Sequence, residues 1–185
     1  MSEGKVNLKF LLAKPYGILL TGRVVLSAVS VICFLIVERR IYLRSEFNFL
    51  NGFFLLWSAI SVLAHIFNLQ KNLSKLPNSY FYIPFALFDF VFGLAGIIFF
   101  SFESLILIVK AVTRNYYFYN YLELLIFMLA VISTIGSGCI FGFYSLLLHV
   151  QTQNVKDLPI KEMVVEGDKI TYFTATKEDS EKILP

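Results

Sequence analysis

Four apolar runs, at residues 16–37, 49–69, 80–109 and 121–150, occupy most of this 185-residue chain and constrain its fold more than any motif does. Each can supply about 20 helical residues, enough to cross a hydrocarbon layer of about 30 Å at a rise of about 1.5 Å per residue. What lies outside them is too short and too polar to build a soluble core. The sequence therefore predicts an all-α integral membrane protein, a four-transmembrane-helix bundle with short loops. Its parts are a lead at 1–15, a membrane domain at 16–150 and a flexible tail at 151–185.

Composition supports the class and removes others. The chain is 57% hydrophobic and 16% charged, with 20 Phe and 10 Tyr, a content that lipid-facing surface accommodates more readily than a soluble core of this size. The net charge of +3 is spread thinly, and the basic residues do not cluster beyond Arg39-Arg40. Nucleic acid is therefore not an expected partner, because phosphate contacts need grouped Lys and Arg. Membrane lipids are. Cys33 and Cys139 both fall within apolar runs, which argues against a disulfide-stapled outer loop and suggests two buried thiols acting as small hydrophobes. Lys5, Lys9 and Lys14 precede the first run, yet that run continues to Val37 and ends in Glu38-Arg39-Arg40, so it reads as an uncleaved span.

An even number of spans puts both termini on one side. Seven lysines (5, 9, 14, 71, 75, 156 and 161) fall there, against Arg39, Arg40, Arg44, Lys110 and Arg114 on the other side. The positive-inside bias then makes both termini cytosolic, in the plasma membrane or endomembrane vesicles. On that topology the sequon Asn72-Leu73-Ser74 is cytosolic and unused. Tyr116, Tyr117 and Tyr119 read as an interfacial aromatic belt. Pro84 near the start of the third run is tolerated as an early helical residue. In the tail, Met163–Val165 and Ile170–Phe173 suggest one strand at most, and Thr174, Thr176 and Ser180 sit among acidic residues that suit an acidophilic kinase.

Ionisable residues within spans carry the sharpest expectations, because they are costly in hydrocarbon. Arg23 and Asp89 lie at matching depth on spans one and three, which start from the same side. They are expected to form a buried structural ion pair; the alternatives are a polar path for an ion or solute, or separate snorkelling. Glu103 and Glu123 lie toward the opposite side, available to Lys110, Arg114, Arg39 or water. No further residues at metal-ligand spacing accompany them, and neither metal nor cofactor is expected. Ser58, Ser61 and His65 share a helical face without a catalytic acid, which suits interhelical hydrogen bonds.

Small residues mark packing faces. Asp89, Gly93, Gly96, Phe100 and Glu103 share one face of the third span, and Ala130, Thr134, Gly138 and Gly142 recur every four residues on the fourth. Such stripes let helix backbones approach closely and suit either a compact bundle or self-association.

The opening, Phe10-Leu11-Leu12-Ala13-Lys14-Pro15-Tyr16-Gly17-Ile18-Leu19-Leu20, resembles the start of the MARVEL-type four-span proteins, including the myelin-and-lymphocyte, plasmolipin and chemokine-like-factor groups. The resemblance extends over residues 10–150 in span number and short loops. It implies vesicle trafficking, membrane apposition or lipid-ordered domains, and no catalytic residues. Arg23, Asp89 and the arginine-bearing first loop have no counterpart in that pattern. The expected function is a non-enzymatic membrane organiser or trafficking protein, whose partners are lipids, other membrane proteins or itself. An auxiliary subunit of a channel, receptor or transporter is the first alternative, and a small ion or solute transporter using Arg23, Asp89 and Glu103 is the second.

Overall fold

The computed structural model describes residues 7–41, 45–70, 83–113, 121–154 and 160–172. The sequon, the tyrosines at 116–119 and the Thr174–Ser180 segment lie outside the described residues. Four long helices dominate: α1 (Tyr16–Ile41), α2 (Ser45–Ile66), α3 (Phe85–Thr113) and α4 (Tyr121–Asn154). Each contains an apolar segment of 20 residues or more, the shortest being Phe47–Ile66. In hydrocarbon no water satisfies the backbone, so runs of this length close their hydrogen bonds internally as helices. This is the four-span bundle the sequence predicts, and the chain is a multi-pass membrane protein.

The helix ends differ from the sequence reading. α1 runs on to Ile41 and α2 begins at Ser45, so the first loop is shorter than the span from 38 to 48. Hydropathy falls at Glu38, but a helix can continue into the interface once it has left the hydrocarbon. The third span starts at Phe85 rather than Tyr80, because Pro84 sets its first turn: the Pro84 carbonyl accepts from the N–H groups of Leu87 (3.1 Å) and Phe88 (3.2 Å).

α3 packs closely on α4, α4 on α1 and α1 on α2. α2 and α3 stand further apart, and aromatic rings fill the seam between them. Trp57 stacks on Phe92 at 4.3 Å between centroids, and Phe54 stacks on Phe99 at 5.3 Å. Outward faces are mostly aliphatic and aromatic, with Ile98 70% and Leu122 65% exposed. Such an extent of apolar surface belongs against lipid.

The chain's two ends cap the bundle together. A 3-10 helix, Leu8–Leu12, buries Phe10, and a hairpin pairs β1 (Met163–Val165) with β2 (Ile170–Tyr172), Val165 opposite Ile170. The tail is thus neither wholly flexible nor limited to one strand. Met163, Val164 and Val165 are all buried, and Met163 and Val165 join Phe10, Tyr16, Leu20, Ile66 and Tyr144 in one apolar cluster. Gly167 in the hairpin turn, at φ +100°, accepts from the Tyr16 and Gly17 N–H groups at 3.0 and 3.3 Å. These are donors that a helix N-terminus leaves unpaired, so the tail caps α1. A Cβ on Gly167 would lie 2.8 Å from that of Ala13, which leaves glycine as the residue that fits.

Candidate functional site

Polar residues are concentrated inside the bundle. Arg23, Ser27 and Ser30 on α1, Asn51, Ser58, Ser61 and His65 on α2, Asp89 and Glu103 on α3, and Thr134, Ser137 and Ser145 on α4 are all buried. Each set follows helical spacing, so each helix turns a narrow polar stripe inward and its apolar face to lipid. From His65 to Asn51 along α2 this column covers about 21 Å, most of the hydrocarbon thickness.

Its first cluster centres on Asp89. Arg23 Nη1 lies 3.5 Å from Asp89 Oδ1, with both side chains wholly buried. The Ser61 hydroxyl donates to Asp89 Oδ2 at 2.6 Å, and the Trp57 indole N–H donates to Oδ1 at 3.2 Å. One carboxylate therefore ties α3 to α1 and twice to α2, across the aromatic seam. The Arg23 guanidinium also stands over the Phe141 ring, 4.1 Å from its centroid, and 5.4 Å from that of Tyr144. At 3.5 Å the ion pair is longer than a charge-assisted hydrogen bond. Among the described residues Arg23 Nε, Nη1 and Nη2 have no hydrogen-bond partner, nor do the hydroxyls of Ser27, Ser137 and Tyr144.

The second cluster lies deeper. Asn51 Nδ2 donates to Glu103 Oε1 at 2.6 Å, and the Ser30 hydroxyl stands 3.5 Å from Asn51 Oδ1 and 3.4 Å from Thr134 Oγ1. Glu103 therefore does not face water; its carboxylate takes the Asn51 amide. It is fully buried, and its Oε2 has no hydrogen-bond partner among the described residues. The helical rotation that turns Asp89 inward also turns Glu103 inward, fourteen residues on along α3.

Of the serine-histidine face, Ser61 makes the interhelical bond to Asp89. Ser58 donates instead to the Phe54 carbonyl of its own helix at 2.7 Å. Among the described residues no group of three or more His, Cys, Asp or Glu is arranged to hold a metal ion.

The small-residue stripes are used within the molecule. Gly93 faces Ser145 and the Phe141 carbonyl, and a Cβ on Gly96 would stand 2.7 Å from the Phe141 ring. Gly138 meets Phe100, and Gly142 meets Ile97. These four join α3 to α4. Thr134 turns instead to Ser30 of α1, and Ala130 packs in the cluster of Cys33, Phe34, Leu107 and Phe127.

A furrow of about 880 Å3 runs down the outside, lined by Leu19, Phe90, Leu94, Ile97, Ile140 and Phe143 among others. Cys139 also lines it and is exposed, unlike Cys33, so one of the two thiols expected to be buried lies on the surface.

Trp57, Asn51 and Tyr144 complete the column without having been marked by the sequence reading. Trp57 and Asn51 could have been found on α2, since residues 51, 54, 58, 61 and 65 follow one helical face and Trp57 precedes Ser61 by one turn. Tyr144 carries no such signal among the other aromatic residues.

No family model, curated protein or solved structure matches the chain.

Proposed function

We propose that this protein is a non-catalytic membrane organiser that acts laterally on lipid, with both termini in the cytosol and residence in the plasma membrane or trafficking vesicles. The division of its surface carries the reading: ionisable groups of the spans such as Arg23, Asp89 and Glu103 are turned inward, and lipid meets an apolar exterior with a furrow in it. The interior network resists rotation of the helices and holds that exterior in one shape. The furrow's occupant is a lipid acyl chain. Leu94, Ile97 and Ile140 line it in the middle of α3 and α4, where the surrounding solvent is hydrocarbon. The resemblance of residues 10–20 to MARVEL-type proteins, a group associated with lipid-ordered domains and trafficking, agrees with this role.

Purification in mild detergent with identification of bound lipids and proteins tests the reading. Lipid should be retained by the natural protein and lost when Leu94→Trp fills the furrow. Equal retention by both would reject the acyl-chain site, and a stoichiometric protein partner would favour an auxiliary subunit.

A second reading, a small ion or solute transporter, is favoured by Arg23 Nε and Nη2 and the hydroxyls of Ser27, Ser137 and Tyr144, which share one column and have no hydrogen-bond partner among the described residues. It requires a charge-dependent flux in reconstituted vesicles, and silence under imposed gradients would reject it.

A further inference from the structure

The 3-10 lead, the end of α2 and the hairpin turn enclose a separate cavity of about 250 Å3, lined by Asn7, His65, Asn68, Gln70, Glu166 and Asp168, with Phe10 and Val165. It lies at the end of the bundle where the spans leave the hydrocarbon, at headgroup level. His65 is 1% exposed, and its Nδ1 is 2.7 Å from the Ser61 carbonyl oxygen. A carbonyl can only accept, so the neutral ring carries its proton on Nδ1 and presents a bare lone pair at Nε2. That Nε2 is buried and has no hydrogen-bond partner among the described residues. The Phe10 ring, stacked on the imidazole at 4.9 Å, fixes its plane.

The other lining groups narrow the ligand. The Gln70 side-chain amide is committed at both ends: Nε2 donates to the Val165 carbonyl, and Oε1 accepts from the Val165 N–H at 3.1 Å. Glu166 and Asp168 bring two carboxylates, and Lys169 lies 3.6 Å from the former, which leaves Asp168 to set the charge at the rim. Among the described residues neither Lys nor Arg lines the cavity. It is thus rich in acceptors and anionic, and smaller than the roughly 300–1,000 Å3 of sites for larger organic ligands.

We propose that this cavity binds a primary ammonium group, which donates one N–H to His65 Nε2 and another to the Asp168 carboxylate. A lipid ethanolamine headgroup and a free small amine share that chemistry. A quaternary ammonium has no N–H to give and is excluded from the same bonds.

The experiment is 15N NMR of the imidazoles in nanodiscs of phosphatidylcholine alone, with the signal of His149 assigned by H149Q. Ethylammonium chloride should move the His65 Nε2 resonance saturably in the direction of an accepted hydrogen bond, and tetramethylammonium chloride should not. Asp168→Asn, at an exposed position, should weaken ethylammonium binding roughly three- to tenfold, as loss of one partly solvated charged contact does. A shift produced by phosphatidylethanolamine nanodiscs, with none from ethylammonium, identifies the headgroup as the source; the reverse identifies a free amine. The proposal fails if neither moves Nε2, if tetramethylammonium moves it equally, or if D168N leaves the response unchanged.

Discussion

Replacing Asp89 with leucine removes the carboxylate that faces the Arg23 guanidinium and leaves a cation buried in the bundle. Breaking a buried pair by removing one partner costs about 3–5 kcal/mol. Ser61 and Trp57 each lose an acceptor as well, worth about 0.6 kcal/mol apiece by the average for hydrogen bonds inside membranes. The single change should therefore cost about 4–6 kcal/mol. In R23M/D89L the charge is gone, and methionine keeps most of the side-chain length that packs against Phe141 and Tyr144. What remains is the two lost acceptors and the lost cation–π contact, about 2 kcal/mol together. The double variant should thus be more stable than Asp89→Leu alone by about 2–4 kcal/mol, a difference of well over tenfold in the unfolding equilibrium. Denaturation by sodium dodecyl sulfate in bicelles, followed by tryptophan fluorescence, measures it. A double variant no more stable than D89L would refute the assignment of the cost to an orphaned Arg23.

Three further outcomes follow from the packing and the cap. Gly96→Leu forces a side chain into the Phe141 ring and should destabilise the bundle by about 1–3 kcal/mol in the same assay, because overpacking in a filled interface is not relieved. Gln70→Ala leaves the Val165 N–H and carbonyl buried without partners, at about 1–3 kcal/mol for each group; amide exchange should speed up across the hairpin while the spans keep their protection. Burial raises the Tyr172 phenol above its ordinary value of 10.0, so its contribution is intact below that pH and is lost as pH rises through the folded value. The hairpin should loosen above pH 10, where the phenolate can no longer donate to the Gln151 carbonyl at 3.3 Å, and Tyr172→Phe should remove that pH dependence.

The sequence alone determined the number of spans and their approximate bounds, because transfer into hydrocarbon is a sum over consecutive residues and needs no knowledge of neighbours. It also placed Arg23 and Asp89 at one depth, since rise along a helix is fixed, and it marked the small-residue faces by their four-residue spacing. Which neighbour each face meets depends on how four helices rotate and pack, and only the tertiary structure decided that. Rotation gave Asp89 its partners Ser61 and Trp57 on α2, directed Glu103 to Asn51, and used the Gly93–Gly96 face within the bundle. It also turned a polar tail into a cap: the short apolar patch Met163, Val164 and Val165 suggests a strand but not the surface that it covers. These residues become a strand only where Phe10 and Gln70 offer them partners and the N–H groups of α1 hold the hairpin turn at Gly167.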